Sequence, residues 1–415
     1  MTEILIADAF SERHLGELRS LGCLVRYEPD LKADALPVAL GNAKILIVRS
    51  KQVQAATLTS SEQLTLVLRA GAGVNTIDVK AASARGIFVS NCPGKNSIAV
   101  AELVFALLLG IDRRIAENVI ELRAHRWNKK EFSKASGLFG RTLGVIGVGA
   151  IGQEVIQRAK AFGMPVLAWS RSLNASMADE LGIEYVESIE DVFRRADVVS
   201  LHVAYHPETR HLVNAKRLAL MKPGSILINT SRGEVVDQEA LRQAVASGRV
   251  RAGLDVFDPE PTGGSGAFDD PILDLPGLYG THHIGASTEQ AQDAIADEAV
   301  RIVREYLRTG EVLNCVNLAR RTPARCQLMV RHYDRVGVLA FVLDQIRRAG
   351  INAEEVENVI FEGAAAAHCR IQLGAEPDPD LISKLRKGNA DIISIELIRL
   401  SDPGATASHD LPGHG

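Results

Sequence analysis

Thr142-Leu-Gly-Val-Ile-Gly147-Val-Gly149-Ala-Ile-Gly152-Gln decides the fold of this chain. Leu143, Val145 and Ile146 make the short apolar run of a buried parallel strand. The run enters Gly147-x-Gly149-x-x-Gly152 and then a stretch in which Val155, Ile156, Ala159 and Phe162 recur at helical spacing. Strand, glycine turn and helix form the context that a dinucleotide-binding fingerprint requires. The first glycine makes the turn, the second admits a pyrophosphate, and the third lets helix pack on strand. The helix then offers free N–H groups and a positive dipole end to the anion. About twenty residues on, an NAD site usually carries an Asp or Glu for the ribose. This chain reads Trp169-Ser170-Arg171-Ser172 there. An arginine can pair with a 2′-phosphate, and Ser170 brings no charge to repel it. The expected cofactor is NAD(P)(H), leaning to NADP(H).

Outward from this unit the same alternation continues. Val166-Leu-Ala-Trp, Val198-Val-Ser-Leu, Ile226-Leu-Ile-Asn and Ala252-Gly-Leu-Asp read as further strands of a doubly wound Rossmann domain over residues 97–286. Upstream, Ile4-Leu-Ile-Ala, Leu24-Val-Arg-Tyr, Ile45-Leu-Ile-Val, Leu64-Thr-Leu-Val-Leu and Ile87-Phe-Val alternate with helical stretches. They define a flavodoxin-like α/β substrate domain over residues 1–96, completed by 287–316, whose helix from Thr288 to Thr309 should return to it. Ser97 to Arg123 is apolar on more than one face and reads as one long helix buried between the two bodies. Residues 317–325 are polar, include Pro323 and read as a linker. Residues 326–402 run strand, helix, two strands, helix, strand, the order of a small α+β ferredoxin-like unit. Residues 403–415 read as a disordered tail.

Composition bounds the function. With 46% hydrophobic and 24% charged side chains, the 415 residues suit a soluble globular protein of two or three domains. A net charge of -4 argues against nucleic acid or an anionic membrane as the main partner. Cys23, Cys92, Cys315, Cys326 and Cys369 form no CxxC pair, which suits reduced cytoplasmic thiols and gives no metal signature. The N-terminus enters a strand without the basic start of a signal peptide, and no apolar run is long enough to span a bilayer. The expected partner is a small molecule.

Three further pieces follow successive predicted strands: Asn229-Thr-Ser-Arg232-Gly, Leu254-Asp255-Val-Phe-Asp-Pro-Glu260-Pro and Thr281-His-His283-Ile-Gly285-Ala-Ser. Open α/β sheets bind ligands at those strand ends. With the fingerprint, these pieces resemble, in order and spacing, the D-isomer-specific 2-hydroxyacid dehydrogenase family. The resemblance implies hydride transfer between NAD(P) and a D-2-hydroxy acid, in a homodimer or homotetramer. It implies cofactor contacts from Gly147, Gly149, Ala150, Ile151, Gly152, Ser170, Arg171, His202, Val203, Thr209, Thr230, Ser231, Asp255, Gly285 and Ala286. Three features are similar to the branch that acts on 3-phosphoglycerate. Arg49-Ser-Lys51 resembles its basic strand-end pair, Trp127-Asn-Lys129 a loop that reaches across a dimer interface, and the C-terminal unit a regulatory ACT domain. There His332, Asp334 and Asn352 are candidate contacts for serine or another amino acid, although Asp334 and Val336 depart from the serine-binding pattern. Ser170-Arg171 instead resembles the glyoxylate/hydroxypyruvate reductases that use NADPH. The reading from another class is a dinucleotide-sensing corepressor.

Oxidising a 2-hydroxy acid requires a grip on the carboxylate, a base for the hydroxyl proton and a hydride aimed at the nicotinamide. Arg232 can grip through its planar fork. His283 is the natural acid–base, with Glu260 to bond its ring and favour the imidazolium. His282 should face elsewhere in an extended segment. The Gly71-Ala72-Gly73 loop can offer N–H groups from Ala72 and Gly73 to the carboxylate. Arg49, Lys51 and Lys129 would neutralise a phosphate. Plainer roles compete with each: a surface charge for the cations, an ordinary turn for the glycine loop, a turn cap for Asp255.

Overall fold

The computed structural model describes residues 1–261, 266–319 and 322–400. Arg320 and Arg321 of the expected linker, and the expected disordered tail, lie outside the described residues. The chain divides into two compact units, Met1–Asn317 and Leu318–Gly415.

The first unit holds two parallel sheets. Strands β1 (Glu3–Ile6), β2 (Leu24–Tyr27), β3 (Ile45–Val48), β4 (Leu66–Arg69) and β5 (Phe88–Asn91) pair in the order β2-β1-β3-β4-β5, the flavodoxin-like arrangement. Side-chain alternation feeds two cores. Ile4, Ile6, Ile45, Ile47, Leu66 and Leu68 face one side and meet Ile295, Ala299, Ile302 and Val303 of the helix Glu289–Thr309. Leu5, Leu46, Val48 and Val67 face the other and meet Leu36, Leu40 and Leu58. Helices cover both faces, so these strands read as continuous apolar runs.

The second sheet contains β6 (Leu143–Ile146), β7 (Val166–Trp169), β8 (Glu184–Tyr185), β9 (Val198–Leu201), β10 (Ser225–Asn229), β11 (Val250–Leu254) and β12 (Leu278–Gly280). Their order is β12-β11-β10-β9-β6-β7-β8. The connection reverses between β9 and β6, and a doubly wound sheet opens its crevice at such a point. The glycine turn sits there. Gly147 has φ 97°, and a Cβ on it would lie 2.5 Å from the His202 carbonyl oxygen. A Cβ on Gly152 would collide with the Gly147 carbonyl, whereas Gly149 looks into open space.

Ser97 to Arg123 is not one helix. It breaks at Arg114, which is left-handed (φ 50°, ψ 50°), into Ser97–Arg113 and Ile115–Arg123. The first piece buries Val104, Leu107, Leu108 and Ile111, and the second buries nothing. The core-facing stretch ends at Asp112, whose carboxylate is taken by Gly137 N (3.0 Å) and Arg141 (3.2 Å). Beyond it Ile115, Ile120 and Leu122 are exposed. Arg114 instead pairs with Glu131 at 2.8 Å and covers the Phe132 ring.

In the second unit, β13 (Cys326–Tyr333), β14 (Ala353–Ile360), β15 (Ala366–Leu373) and β16 (Ile392–Arg399) form an antiparallel sheet in the order β14-β15-β13-β16. Helices Val338–Arg348 and Pro379–Gly388 pack their Val342, Ile346 and Leu385 on its buried face. This is the ferredoxin-like order. The expected linker is shorter than 317–325. Asn317 is docked, its side chain accepting from Val89 N and donating to Ile87 O, both at 2.8 Å. Arg325 N already donates to Leu373 O at 2.8 Å. Among the described residues no helix is long and apolar enough to cross a membrane.

Gly152→Ala should press a methyl into the Gly147 carbonyl, an overpacking cost of about 1–3 kcal/mol. Thermal unfolding should fall and nucleotide titration should weaken together. Wild-type values in both would contradict the close helix–strand approach.

Candidate active site

The loops after β10, β11 and β12 lock onto one another. Asn229 Oδ1 accepts from Ser231 N (3.0 Å) and Ser231 Oγ (2.7 Å), and Asn229 Nδ2 donates to Arg232 O (2.9 Å). Arg232 is thereby held at the loop's tip. A Cβ on Gly233 would collide with the Phe257 carbonyl, so the loops after β10 and β11 press together backbone to backbone.

Asp255 ties the third loop down. It is 1% exposed. Its Oδ1 accepts from Thr281 Oγ1 (2.6 Å) and Ile284 N (2.8 Å), and its Oδ2 from Gly285 N (2.9 Å). Its main-chain oxygen accepts from His283 N at 2.9 Å. Both carboxylate oxygens therefore face the turn 281–285, as a cap would. The segment holding His282 and His283 is consequently not extended. Gathering three donors on one carboxylate folds it, and His283 takes φ 53°.

His283 Nδ1 lies 2.8 Å from Glu260 Oε2, and Glu260 Oε1 accepts from Phe257 N at 3.2 Å. Burial pushes the Glu260 carboxyl up, but the bond to His283, the Phe257 amide and the Arg232 charge outweigh it. The net pKa lies below its ordinary 4.5. An ionised carboxylate only accepts, so Nδ1 carries the hydrogen and Nε2 is left for a ligand. His282 is exposed and makes no such pair.

Arg232, whose charge reaches Glu260, belongs to a cluster of guanidiniums. A Cβ on Gly73 would lie 2.7 Å from Arg232 Nη2, so the Arg232 guanidinium lies close against the Gly71–Gly73 loop. Arg69, at the end of β4, donates from Nε to Arg49 O at 2.9 Å and lies against Gly71. Burial, then the charges of Arg232 and Arg49, lower the Arg69 pKa to about 10. Burial likewise lowers that of Arg49. Among the described residues none of these three guanidiniums forms an ion pair.

The expected cationic trio is different from this one. Lys51 is committed, its Nζ donating to Asp8 Oδ1 (3.3 Å) and Pro29 O (2.8 Å). Asp8 Oδ2 also accepts the amides of Arg49, Ser50 and Lys51, at 2.7, 3.0 and 3.1 Å. Burial raises the Asp8 carboxyl, and these bonds outweigh it and hold its pKa low. Lys129 is exposed at the start of the short helix Lys129–Phe132 and makes no bond to Arg49 or Lys51. Arg69 takes the third place. Its signal in the sequence is an arginine closing an apolar strand directly before Ala70-Gly71, a position that otherwise reads simply as strand.

The crevice beside the glycine turn fits a dinucleotide. The helix Ala150–Ala161 begins there with Ala150 and Ile151, above the open space at Gly149. Val203 Cγ1 would stand 3.1 Å from a Cβ on Gly147, and His202 bonds Ser200 Oγ at 2.8 Å. Burial pushes His202 down to about 3, so its ring is neutral. Among the described residues Thr230 Oγ1 is buried without a partner, an unmet hydrogen-bonding group at the end of β10. Ser170 and Arg171 follow β7. Ala286 O accepts from Gln292 Nε2 at 2.7 Å, which secures the start of the helix Glu289–Thr309.

The three candidate effector residues are not gathered. His332 is buried, with Nδ1 2.7 Å from Tyr333 O and Nε2 3.3 Å from Asn358 Oδ1. Asn352 donates to Glu354 at 3.0 Å, and Asp334 is exposed. No hydrogen bond joins them.

This fold with this strand-end dyad has relatives. The family description "D-isomer specific 2-hydroxyacid dehydrogenase, NAD binding domain" matches residues 105–285, and the chain belongs to the D-isomer-specific 2-hydroxyacid dehydrogenase family. It is thus a nicotinamide-dinucleotide-dependent dehydrogenase of a small hydroxy acid. Among its relatives, the D-3-phosphoglycerate dehydrogenase of Methanocaldococcus jannaschii is 35% identical over 401 residues, covering 95% of this chain and 75% of that protein. The hydroxypyruvate reductase of Thermotoga maritima is 41% identical over 279 residues, covering 67% and 89%. The crystal structure of the TT0316 protein of Thermus thermophilus superposes with a TM-score of 0.68 at 34% identity, covering 76% of this chain and all of that one.

Two expectations follow from the hydrogen bonds. Glu260, depressed below 4.5 in the fold, stays ionised at neutral pH, and the pair is lost only as pH falls through that lowered value. Glu260→Gln keeps an acceptor but no charge. It should cost about 10- to 100-fold in kcat/KM at pH 7 and change the shape of the pH profile; an unchanged shape would leave Glu260 a packing role only. Asp255→Ala should release the turn and lower kcat about 100-fold. Retained kcat would show that His283 is positioned by other contacts.

Proposed function

We propose that the chain interconverts a D-2-hydroxy acid and its 2-oxo acid where the substrate carries a second anionic group, as 3-phosphoglycerate does. The observation that carries this is the unpaired cluster of Arg49, Arg69 and Arg232 around the Gly71–Gly73 loop. One guanidinium fork answers a carboxylate. Three half-buried ones without carboxylate partners call for more negative charge, and a phosphate brings about -1.5 to -2 at neutral pH. The phosphoglycerate dehydrogenases among the relatives support the same reading.

In this reading Arg232 holds the substrate carboxylate and the C2 oxygen, and the amides of Ala72 and Gly73 share the carboxylate. Arg49 and Arg69 take the phosphate. His283 Nε2 accepts the hydroxyl proton during oxidation and returns it during reduction. Glu260 keeps Nδ1–H in place and offsets the imidazolium charge. The dinucleotide, when bound, supplies the hydride acceptor or donor at its nicotinamide ring. Ser170 and Arg171 support acceptance of NADP(H) as well as NAD(H). At the C-terminal unit the inward turn of His332 favours a structural role over serine binding.

A second reading, reduction of hydroxypyruvate or glyoxylate, is favoured by Lys51, whose charge Asp8 already answers. Arg69→Met decides between them. The expected result is a KM for 3-phosphohydroxypyruvate raised at least about tenfold, the loss of one charge-assisted bond, with KM for hydroxypyruvate changed far less. Parallel changes would promote the second reading. His283→Ala should lower kcat by about 10²–10⁴ with either substrate. A variant that keeps its turnover would remove His283 from the chemistry.

A further inference from the structure

The ribose end of the crevice holds a charged pair built from two loops. β7 ends in Trp169, and Ser170-Arg171 follows with no carboxylate. β9 lies on the other side of β6, and its loop runs from His202 past the glycine turn to Thr209. The far end of that loop is fixed from within. Thr209 Oγ1 donates to Ala204 O (2.8 Å) and accepts from His206 N (2.7 Å), and Thr209 N donates to His206 O (2.9 Å). The turn Pro207–Thr209 thereby presents Glu208 to the loop after β7, where Glu208 Oε2 lies 3.5 Å from Arg171 Nη1. The two side chains are 81% and 72% exposed, so their attraction does little for the stability of the fold.

We propose that Glu208 selects the cofactor, supplying from the loop after β9 the carboxylate that the end of β7 lacks, and that the chain therefore prefers NAD(H) to NADP(H). This rests on the dinucleotide reading of the crevice. In a doubly wound sheet the adenosine ribose sits at the end of the strand that follows the fingerprint helix, which is where Arg171 and Glu208 meet. A carboxylate there accepts a hydrogen bond from a ribose 2′-hydroxyl. The same charge repels a 2′-phosphate and occupies the guanidinium that would otherwise attract it. The preference is the reverse of what Ser170-Arg171 suggests alone, because the deciding group stands 37 residues further along the chain.

Binding alone tests this, without turnover. The full chain is titrated with NADH and NADPH by dinucleotide fluorescence, and with 5′-AMP and 2′,5′-ADP by calorimetry. Wild type should bind NADH more tightly than NADPH. Glu208→Gln should tighten NADPH and 2′,5′-ADP about three- to tenfold and move NADH by less than about twofold. Adding Arg171→Ala should cancel that gain, and about 0.5 M salt should shrink it. Equal changes for both dinucleotides in Glu208→Gln, or a wild-type preference for NADPH, would overturn the proposal. Failure of the wild type to bind any of the four nucleotides would overturn the dinucleotide reading itself, and this selection with it.

Discussion

Much of this site hangs from the carboxylate of Asp255. It is buried at the end of β11, and a buried charge is tolerated only where donors surround it. Here the donors come from the turn after β12: the Thr281 hydroxyl and the amides of Ile284 and Gly285. The need of one desolvated charge thus becomes the geometry of a loop. The turn sets the left-handed backbone at His283, and that backbone carries the ring to Glu260. Glu260 itself is anchored just past the end of Asp255's own strand, through the Phe257 amide. A site on loops gains the precision of the sheet because its loops close on one another through buried polar contacts.

The parallel sheets were readable because buried strands are apolar without interruption and the glycine spacing is rigid in its demands. Gly147 and Gly152 each press on backbone, so no other residue fits, and that constraint is local. The break at Arg114 was not readable, since apolar residues continue beyond it in Ile115, Ile120 and Leu122; only burial separates the two pieces. The Arg232, Glu260 and His283 constellation could be read from order and spacing after three strands. The cation cluster could not. Whether a lysine is free or answered depends on a partner far away in the chain, as Asp8 is for Lys51. Arg69 sat inside a strand pattern, where a single charge at the strand's end carries no sign of what it faces.

Charge at this site is distributed unevenly by the course of the backbone. On one side, Asp8 gathers three amides and Lys51 and is neutralised. On the other, Arg49, Arg69 and Arg232 repel one another, and burial first, with that repulsion second, holds the Arg69 pKa below that of a solvated arginine. Such repulsion costs stability that an anion would restore, so binding and folding stability would be linked through the same three side chains.

The contact between Gly73 and Arg232 joins a loop of the first sheet to a loop of the second with no side chain on the glycine to intervene. One wall of the gap there is bare main chain, which has no side chain to repack, and the other is the Arg232 guanidinium. Beside it, Arg49 and Arg69 border the same loop with long flexible side chains. Change by substitution therefore has more room at those two side chains than at Gly73, where one wall is backbone alone.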